Sequence, residues 1–292
     1  MNNTDLHNLT SDHSRIFQDQ KYVYPVVSRR SRGVSIGINI SPNCLCNFLC
    51  AYCQVNGDYR QERENRNGSI DIDFSMLRTE LEKTVSAVTS DSLYEIPSFS
   101  KIPDEKRRLN DIAFSGDGEP TLSPAFHQAM QIAVETRKML CPESVKIVLI
   151  TNATTLQSPK VVETLDLMMQ NHGEIWAKLD AGSEEQYRRI NRSKVPFAQI
   201  LQNLETISQR YPIVIQSILL CENGVSPSEK QIDDLIARLN GILNAGGQID
   251  RVQLYTIARS TIEHWVSPLN AEQMGVISVN VTKVTGLRVE TF

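Results

Sequence analysis

The sequence predicts an α/β fold, specifically a partial (β/α)6 TIM-type barrel with parallel strands and an open lumen. The first observation is that six candidate strands alternate with amphipathic helices, at residues 34–40, 111–115, 145–151, 174–180, 213–220 and 251–259. Such alternation implies a parallel sheet with right-handed crossovers. The second is that the strands are apolar on one face only: Val34 and Ile36 alternate with Ser35 and Gly37. A closed barrel fills its interior with branched apolar residues, so a polar inner face predicts an open barrel. The alternative is a solvated face of an open sheet.

The helices between these strands are predicted from their capping signals. Ser123, Ser158 and Ser226 each precede a proline, which places a hydroxyl cap before proline at the first helical position. Ser183 and Gln186 also have the spacing of a capping box. Each predicted helix carries one apolar face that suits packing against a sheet.

Three segments are predicted along the chain. Residues 1–33 form an N-terminal extension, because they are polar, lack a clear periodicity and end in a basic run at Arg29–Arg32. Residues 34–260 form the α/β core, and residues 261–292 form a C-terminal segment that packs on it. A chain of 292 residues is long enough for one large α/β domain or two small ones.

Composition limits the classes of function. With 40% apolar and 22% charged residues, the chain resembles an ordinary globular protein. The net charge of −4 argues against broad, non-specific binding of nucleic acid. No apolar run approaches the roughly 18 residues of a membrane span, and the N-terminus lacks the pattern of a secretory signal. We therefore expect a cytoplasmic protein with no membrane partner, whose thiols stay reduced.

A cluster of cysteines follows the first predicted strand. Cys46, Cys50 and Cys53 are separated by three and then two residues, so one short loop can wrap around a single iron–sulfur cubane. Three thiolates leave one iron without a protein ligand, and a small molecule can chelate that iron. Cys44 could instead be a fourth ligand in a zinc or closed cluster site, although zinc sites usually use two separated Cys-x-x-Cys pairs.

A glycine-containing loop follows the second predicted strand, at Ser115-Gly116-Asp117-Gly118-Glu119. Glycine lets the backbone approach a ligand closely, and α/β sheets bind ligands at the carboxyl ends of their strands. The alternative is a plain turn.

These motifs together resemble the radical S-adenosylmethionine (SAM) superfamily. The pattern Cys46-x-x-x-Cys50-x-Tyr52-Cys53 is similar to the signature of that family, and the glycine loop resembles its Gly-Gly-Glu-Pro element. The stretches Lys178–Gly182, Arg188–Arg192 and Tyr255–Arg259 resemble the clade that contains wyosine-type tRNA synthetases. This resemblance implies a [4Fe–4S] cluster that cleaves SAM reductively, giving a 5′-deoxyadenosyl radical that abstracts hydrogen from a substrate.

The resemblance also implies roles for particular residues. The metal ligands are Cys46, Cys50 and Cys53, and the catalytic candidate is Lys178, which either pairs with Asp180 or reaches the SAM carboxylate or the substrate. Asp180 either binds the ribose of SAM or caps the helix that follows. Candidate cofactor-binding residues are Tyr52, Ser115, Gly116, Asp117, Gly118, Glu119, Thr151, Asn152, Asp180, Gln216 and Tyr255.

The substrate is left open by the sequence. One hypothesis is a nucleoside or tRNA base, with the local arginines either holding phosphates or forming a solvated helix face. A second is activation of a glycyl-radical enzyme or modification of a peptide. A third is a non-catalytic iron–sulfur electron-transfer protein. An enzyme of this class needs a low-potential electron donor of the flavodoxin or ferredoxin type.

Overall fold

The computed structural model describes residues 17–55, 71–259, 261 and 263–292. Residues 1–16 of the predicted N-terminal extension lie outside the described residues. The strands are β1 (Val23–Ser28), β2 (Gly33–Ile38), β3 (Leu109–Phe114), β4 (Lys146–Thr151), β5 (Gly173–Lys178), β6 (Ile213–Ile218), β7 (Leu220–Glu222), β8 (Ile249–Tyr255), β9 (Val266–Pro268) and β10 (Val289–Thr291). The helices are α1 (Phe74–Thr89), α2 (Phe126–Leu140), α3 (Pro159–Met169), α4 (Glu184–Ile190), α5 (Phe197–Arg210), α6 (Glu229–Asn244) and α7 (Ala271–Thr285).

The main sheet has the strand order β1-β2-β3-β4-β5-β6-β8-β10. The pairs β2–β3, β3–β4, β5–β6, β6–β8 and β8–β10 are parallel, and β1 is antiparallel to β2. Each of the six predicted strands has a counterpart, namely β2, β3, β4, β5, β6 and β8. The predicted α/β class, a sheet of parallel strands of the partial TIM-barrel type, is confirmed. The open lumen stays a prediction.

The described residues divide into two compact units. The first takes those within Met1–Leu45, Asn67–Ile150 and Pro159–Glu174, which include β1 to β4 and α1 to α3. The second takes those within Cys46–Arg66, Thr151–Ser158 and Ile175–Phe292, which include α4 to α7 and the strands from β6 onward. No described helix has the length and the apolar character needed to cross a membrane.

The strand β1 was not predicted from the sequence. It pairs with β2 in an antiparallel hairpin. The chain entering it is held in the first unit by Glu80 of α1, whose carboxylate accepts backbone N–H bonds from Lys21 and Tyr22, both at 2.8 Å, and from Val23 at 3.2 Å. This carboxylate is buried, and it supplies the acceptors that a neighbouring strand would otherwise provide. A local sequence pattern cannot show such a contact, because Glu80 lies almost 60 residues further along the chain.

The polar positions on the strands are buried. Ser35, Gln216 and Gln253 are each less than a tenth exposed. The alternative of a solvated sheet face is therefore wrong at these positions, and the sheet places polar side chains in the protein interior.

Two of the predicted helix starts are wrong. Helix α6 begins at Glu229, because Ser228 and Gln231 form the capping box in place of the predicted Ser226. Helix α2 begins at Phe126 with no side-chain cap, and the hydroxyl of Ser123 instead donates to the Ile40 carbonyl at 3.1 Å. The other two Ser signals are confirmed: α3 begins at Pro159, and the Ser183 side chain accepts the Gln186 N–H at the start of α4.

Candidate functional site

The cysteine loop of the second unit is anchored to the end of α4. The Leu49 N–H donates to the Asn191 carbonyl at 3.0 Å, and the Ala51 N–H donates to the Ile190 carbonyl at 2.7 Å. A turn then follows, in which the Cys53 N–H donates to the Cys50 carbonyl at 3.0 Å. These bonds fix the backbone around the thiols, so the loop has a defined conformation.

The three thiols of the predicted ligand set are partly exposed, whereas Cys44 is buried. Burial raises the pKa of Cys50 to about 12; Lys178 opposes this shift, while Asp180, Cys53 and Cys46 add to it. Cys53 and Cys46 are therefore near enough to Cys50 to affect the ionisation of its thiol. A thiolate here needs a nearby cation, and metal binding supplies one when it displaces the proton.

The donor set fits a cluster. Cysteine thiolates are the usual ligands of [4Fe–4S] cubanes, and each binds a different iron. Three thiols on one loop therefore need not converge on a single point. Among the described residues, no group of three or more His, Cys, Asp or Glu side chains is arranged to hold a single metal ion.

Apolar side chains surround the loop within the second unit. They form a cluster whose buried members are Ala51, Tyr52, Ile190, Ile218, Leu220 and Val266. The partly buried Cys50 and Tyr255 pack against this cluster. Such apolar surroundings lower the local dielectric constant and strengthen the electrostatic interactions of nearby charges.

Asp180 lies just beyond β5 and is the centre of a hydrogen-bond network. Its Oδ2 atom accepts the hydroxyl of Tyr52 and, at 2.9 Å, the Nδ2 of Asn191. Its Oδ1 atom accepts the Ile218 N–H at 3.2 Å. Since Ser183 caps α4, the predicted alternative that Asp180 caps this helix is wrong. Contact with a ribose stays a prediction.

Lys178 joins the same network. Its Nζ donates to the hydroxyls of Tyr52 at 2.9 Å and Tyr255 at 2.5 Å, and lies 3.8 Å from Asp180 Oδ2. The side chain of Asp180 is fully buried, and that of Lys178 is 20% exposed. The predicted pairing of Lys178 with Asp180 is therefore present, and it brings Tyr52 of the cysteine loop into contact with β5.

The charges in this network are fixed by its geometry. Burial acts to lower the pKa of Lys178, but Asp180 and Tyr255 raise it well above its usual value. Burial and Asp180 raise the pKa of Tyr52. At neutral pH the lysine is therefore protonated and the tyrosine neutral, which suits Lys178 to binding an anionic group.

The loop after β4 contains Thr151 and Asn152. The Asn152 Nδ2 donates to Asn47 Oδ1 at 2.8 Å, and its Oδ1 accepts the Thr154 N–H at 3.1 Å. Ala153 has a φ of 66°, in the left-handed region that glycine adopts most readily. The loop therefore forms despite the alanine, and Asn203 holds it by donating to the Ala153 carbonyl at 2.8 Å.

The glycine loop belongs to the first unit. A Cβ atom at Gly116 would overlap the Asn39 side chain, and one at Gly118 would overlap the Leu45 carbonyl. The two glycines therefore allow close approach of the chain itself, a requirement that the sequence did not reveal. Whether the loop also binds SAM stays a prediction.

Side chains of this loop make contacts within the first unit. The Asn39 Nδ2 donates to Asp117 Oδ2 at 2.6 Å, and the hydroxyls of Ser115 and Tyr24 lie 3.0 Å apart. The buried Glu119 accepts the Thr121 hydroxyl at 2.6 Å. These contacts order the loop and turn the Glu119 carboxylate toward the short 3₁₀ helix Pro120–Leu122 that follows.

The side-chain amides of Gln216 and Gln253 form one hydrogen bond with each other. The Gln216 Nε2 donates to Gln253 Oε1 at 2.8 Å, and both side chains are fully buried. Among the described residues, Gln216 Oε1 and Gln253 Nε2 have no hydrogen-bond partner. A cofactor-binding role for Gln216 stays a prediction.

The arginines after β5 are paired with carboxylates. Arg189 Nε lies 2.5 Å from Glu222 Oε2, Arg188 Nε lies 2.8 Å from Glu184 Oε1, and Arg192 Nη1 lies 2.6 Å from Glu263 Oε1. Arg192 also lies over the Trp265 ring. These pairs weaken the hypothesis that the arginines hold phosphates.

The basic run at Arg29–Arg32 lies between β1 and β2. The run therefore lies at the amino end of β2, whereas the chain that leads to the cysteines leaves the carboxyl end of that strand. Because β2 and β3 are parallel, the glycine loop after β3 lies at the opposite end of the sheet from this run. The run is not adjacent to that loop.

The sequence did not single out several residues that the structure brings into these loops. They are Asn47, Asn191, Asn203, Glu222, Glu263 and Trp265. Asn191 could have been noticed, because it stands in the Arg-Arg-Ile-Asn-Arg motif that follows the fourth predicted strand. The other residues had no local signal.

Comparison with known proteins identifies the family. The family model described as the radical SAM superfamily matches residues 40–236, more than half of the chain. The chain belongs to the radical SAM superfamily.

Two solved structures have a similar fold. A radical SAM methyltransferase from Sphaerobacter thermophilus has a TM-score of 0.59 at 11% identity, with 94% of this chain and 70% of that one covered. TYW1 with a lysine-pyruvate adduct bound has a TM-score of 0.52 at 14% identity, with 87% and 74% covered. Identities this low support the fold alone.

A curated relative is named GTPase Obg, from Brachyspira hyodysenteriae. It is 24% identical over 255 residues, which cover 86% of this chain. The chain spans about a third of that relative's length, 32%.

Proposed function

We propose that this chain binds a [4Fe–4S] cluster through Cys46, Cys50 and Cys53 and cleaves SAM reductively. The observation that carries the proposal is the fixed loop that holds these three partly exposed thiols, with the adjacent Tyr52 bound to Asp180 and Lys178. When bound, the cluster and SAM together supply one-electron cleavage of a carbon–sulfur bond and a 5′-deoxyadenosyl radical that abstracts hydrogen from the substrate.

The protein's own part is to position SAM and to exclude water from the site. Tyr52 is held by Asp180 and Lys178 next to the last cysteine, and the apolar cluster around the loop keeps the site dry. We propose Tyr52, Asn152, Asp180 and Tyr255 as SAM contacts. We also propose SAM contacts that are supported only by the family motif or by strand position. These are Thr151, Gln216 and the loop of Ser115, Gly116, Asp117, Gly118 and Glu119.

We propose that Lys178 binds a carboxylate of SAM or of the substrate. Its raised pKa supports this role, because a protonated amine is a point charge with three donors. The TYW1 structure is described as carrying a lysine-pyruvate adduct. A covalent role for Lys178 would need a neutral amine, and the neighbouring Asp180 opposes loss of the proton.

The test is to measure cluster and product in the anaerobically reconstituted chain. The wild-type protein should contain a four-iron cluster and, once reduced, should form 5′-deoxyadenosine from SAM. Alanine at Cys46, Cys50 or Cys53 should abolish both signals. Alanine at Cys44 or Cys141 is the matched control and should leave the cluster intact. A cluster that persists without all three thiols would overturn the proposal, and a stable cluster without 5′-deoxyadenosine would favour the electron-transfer protein.

For the substrate, we propose a nucleoside or tRNA base, supported by the motifs shared with the wyosine-type clade and by the fold shared with TYW1. The net charge of −4 and the paired arginines weigh against a broad phosphate-binding surface. Recognition would therefore depend on the base rather than on the backbone. Binding of tRNA should be detectable at low salt, and a loss of binding only above moderate salt would still support an RNA substrate. No binding at low salt would favour the glycyl-radical activase or peptide-modifying alternative.

We further propose that the electron comes from a flavodoxin- or ferredoxin-type donor in the cytoplasm. A reducing compartment supports this, because the thiols must stay reduced before cluster assembly. Reduction of a sulfonium needs a potential toward the low end of the iron–sulfur range, on the order of −400 mV or below.

A further inference from the structure

Two asparagines of the second unit direct side-chain N–H groups at the cysteine sulfurs. The Asn152 Nδ2 lies 3.9 Å from Cys46 Sγ, and the Asn191 Nδ2 lies 3.8 Å from Cys50 Sγ. Both side chains are buried, at 4% and 1% exposure. They come from different parts of the chain, one after β4 and the other after α4.

The two amides are built alike. Each Nδ2 carries two hydrogens, and in each case the second one has an oxygen acceptor. Asn152 donates to Asn47 Oδ1 at 2.8 Å, and Asn191 donates to Asp180 Oδ2 at 2.9 Å. One hydrogen of each amide is therefore used for orientation, which leaves the other for the sulfur.

The orientation of each amide is determined by its neighbours. Asn152 Oδ1 accepts the Thr154 N–H at 3.1 Å and the Thr154 hydroxyl at 2.8 Å, so its oxygen is turned away from the sulfur. For Asn191, a reversed amide would place its oxygen against the carboxylate of Asp180. In both cases the nitrogen must face the cysteine.

Hydrogen bonds to cluster sulfurs are one of the ways by which a protein sets the potential of an iron–sulfur centre. Reduction adds negative charge that is spread over the sulfurs. An N–H donor therefore stabilises the reduced state more than the oxidised state, and its loss makes the potential more negative.

We propose that Asn152 and Asn191 are positioning residues that set the reduction potential of the cluster through N–H···S bonds to Cys46 and Cys50. The inference rests on the proposed function, since it requires a cluster on these thiols. It also gives Asp180 a second task, because its carboxylate orients the amide of Asn191.

The experiment is a potentiometric titration of the reconstituted full chain, followed by EPR of the reduced cluster. The variants Asn152→Leu and Asn191→Leu remove the donor with little change of size. Each should lower the ratio of reduced to oxidised cluster at a fixed potential about five- to tenfold, where tenfold is 59 mV for one electron. The double variant should show the sum of the two shifts.

Asn171→Leu is the matched control. Asn171 also follows a helix and is 7% exposed, but its Nδ2 donates to the Leu167 carbonyl at 2.7 Å. Its substitution should leave the potential unchanged. A shift of equal size in this control would overturn the proposal, because it would show that any buried amide has the same effect.

A second measurement does not depend on the folding of a variant. Pulsed EPR of wild-type protein with ¹⁵N-labelled asparagine side chains should show hyperfine coupling of the cluster to amide nitrogen. Absence of this coupling, or an unchanged potential in both leucine variants, would overturn the inference while leaving the proposed function intact. Failure of the wild-type chain to assemble any cluster would instead overturn the proposed function and the inference together.

Discussion

The Asp180 network and the glycine loop were both found by sequence motif, but different forces hold them. In the Asp180 network, a fully buried carboxylate is shared by Tyr52, Asn191 and Lys178. In the glycine loop, Gly116 and Gly118 allow close approach to Asn39 and Leu45. The first region is therefore sensitive to charge, and the second is sensitive to volume.

A motif at a strand end can thus mark either of two different physical requirements. Changing a charge should damage the first region without any steric conflict. Adding a single methyl group should damage the second without any change of charge. Single substitutions in each region can separate these two effects.

The largest effect is expected for Asp180→Leu. This change leaves Lys178 without its buried counter-ion and should lower the free energy of unfolding by about 3–5 kcal/mol. Urea unfolding of the apoprotein measures it. The double variant Asp180→Leu with Lys178→Met should recover most of the loss, because it removes the isolated charge as well. If the double variant is no more stable than the single one, charge is not what the network requires.

A smaller effect is expected for Gly118→Ala. The added methyl group overlaps the Leu45 carbonyl, so the backbone must shift, and overpacking of this kind typically costs about 1–3 kcal/mol. Gly275→Ala in α7 is the control, since no atom lies within 4 Å of the position that its added methyl group would occupy. Thermal unfolding of both variants checks the prediction, and equal melting temperatures would show that the loop tolerates volume.

The smallest effect is expected for Ala153→Gly, which changes backbone strain rather than charge or packing. Ala153 adopts a φ of 66°, which is unfavourable for a residue with a Cβ atom. Glycine relieves this strain but makes the unfolded chain more flexible, so we expect a gain of about 0.5–1 kcal/mol. Urea unfolding would again measure it. A loss of stability would mean that the Ala153 methyl group contributes more through packing than its backbone costs.

Much of the fold could be predicted because it depends on local periodicity. All six predicted strands exist, since alternation of apolar and polar residues follows the alternation of side chains between the two faces of a strand. The strand β1 was missed although it pairs with the neighbouring β2, and the Glu80 carboxylate that binds the chain entering it comes from a distant part of the sequence. The helix start at Ser226 was wrong because Ser228, two residues later, offered an equally good cap with Gln231.

The candidate site shows the same division. The spacing of Cys46, Cys50 and Cys53 was readable because ligands on one loop are local in sequence. The function of the arginines was not readable: Arg189 pairs with Glu222, and Arg192 pairs with Glu263. A basic motif gives no information about the carboxylate that folding brings to it.

The sequence by itself determined the alternation of strands and helices, the thiol spacing and, through both, the superfamily. Only the tertiary structure decided that Asp180 joins Tyr52, Lys178 and Asn191, and that Asn152 and Asn191 point at sulfur atoms. The physical reason is distance along the chain: Tyr52 and Asp180 are 128 residues apart. Periodicity and spacing report local geometry, whereas buried hydrogen bonds depend on which distant segments pack together.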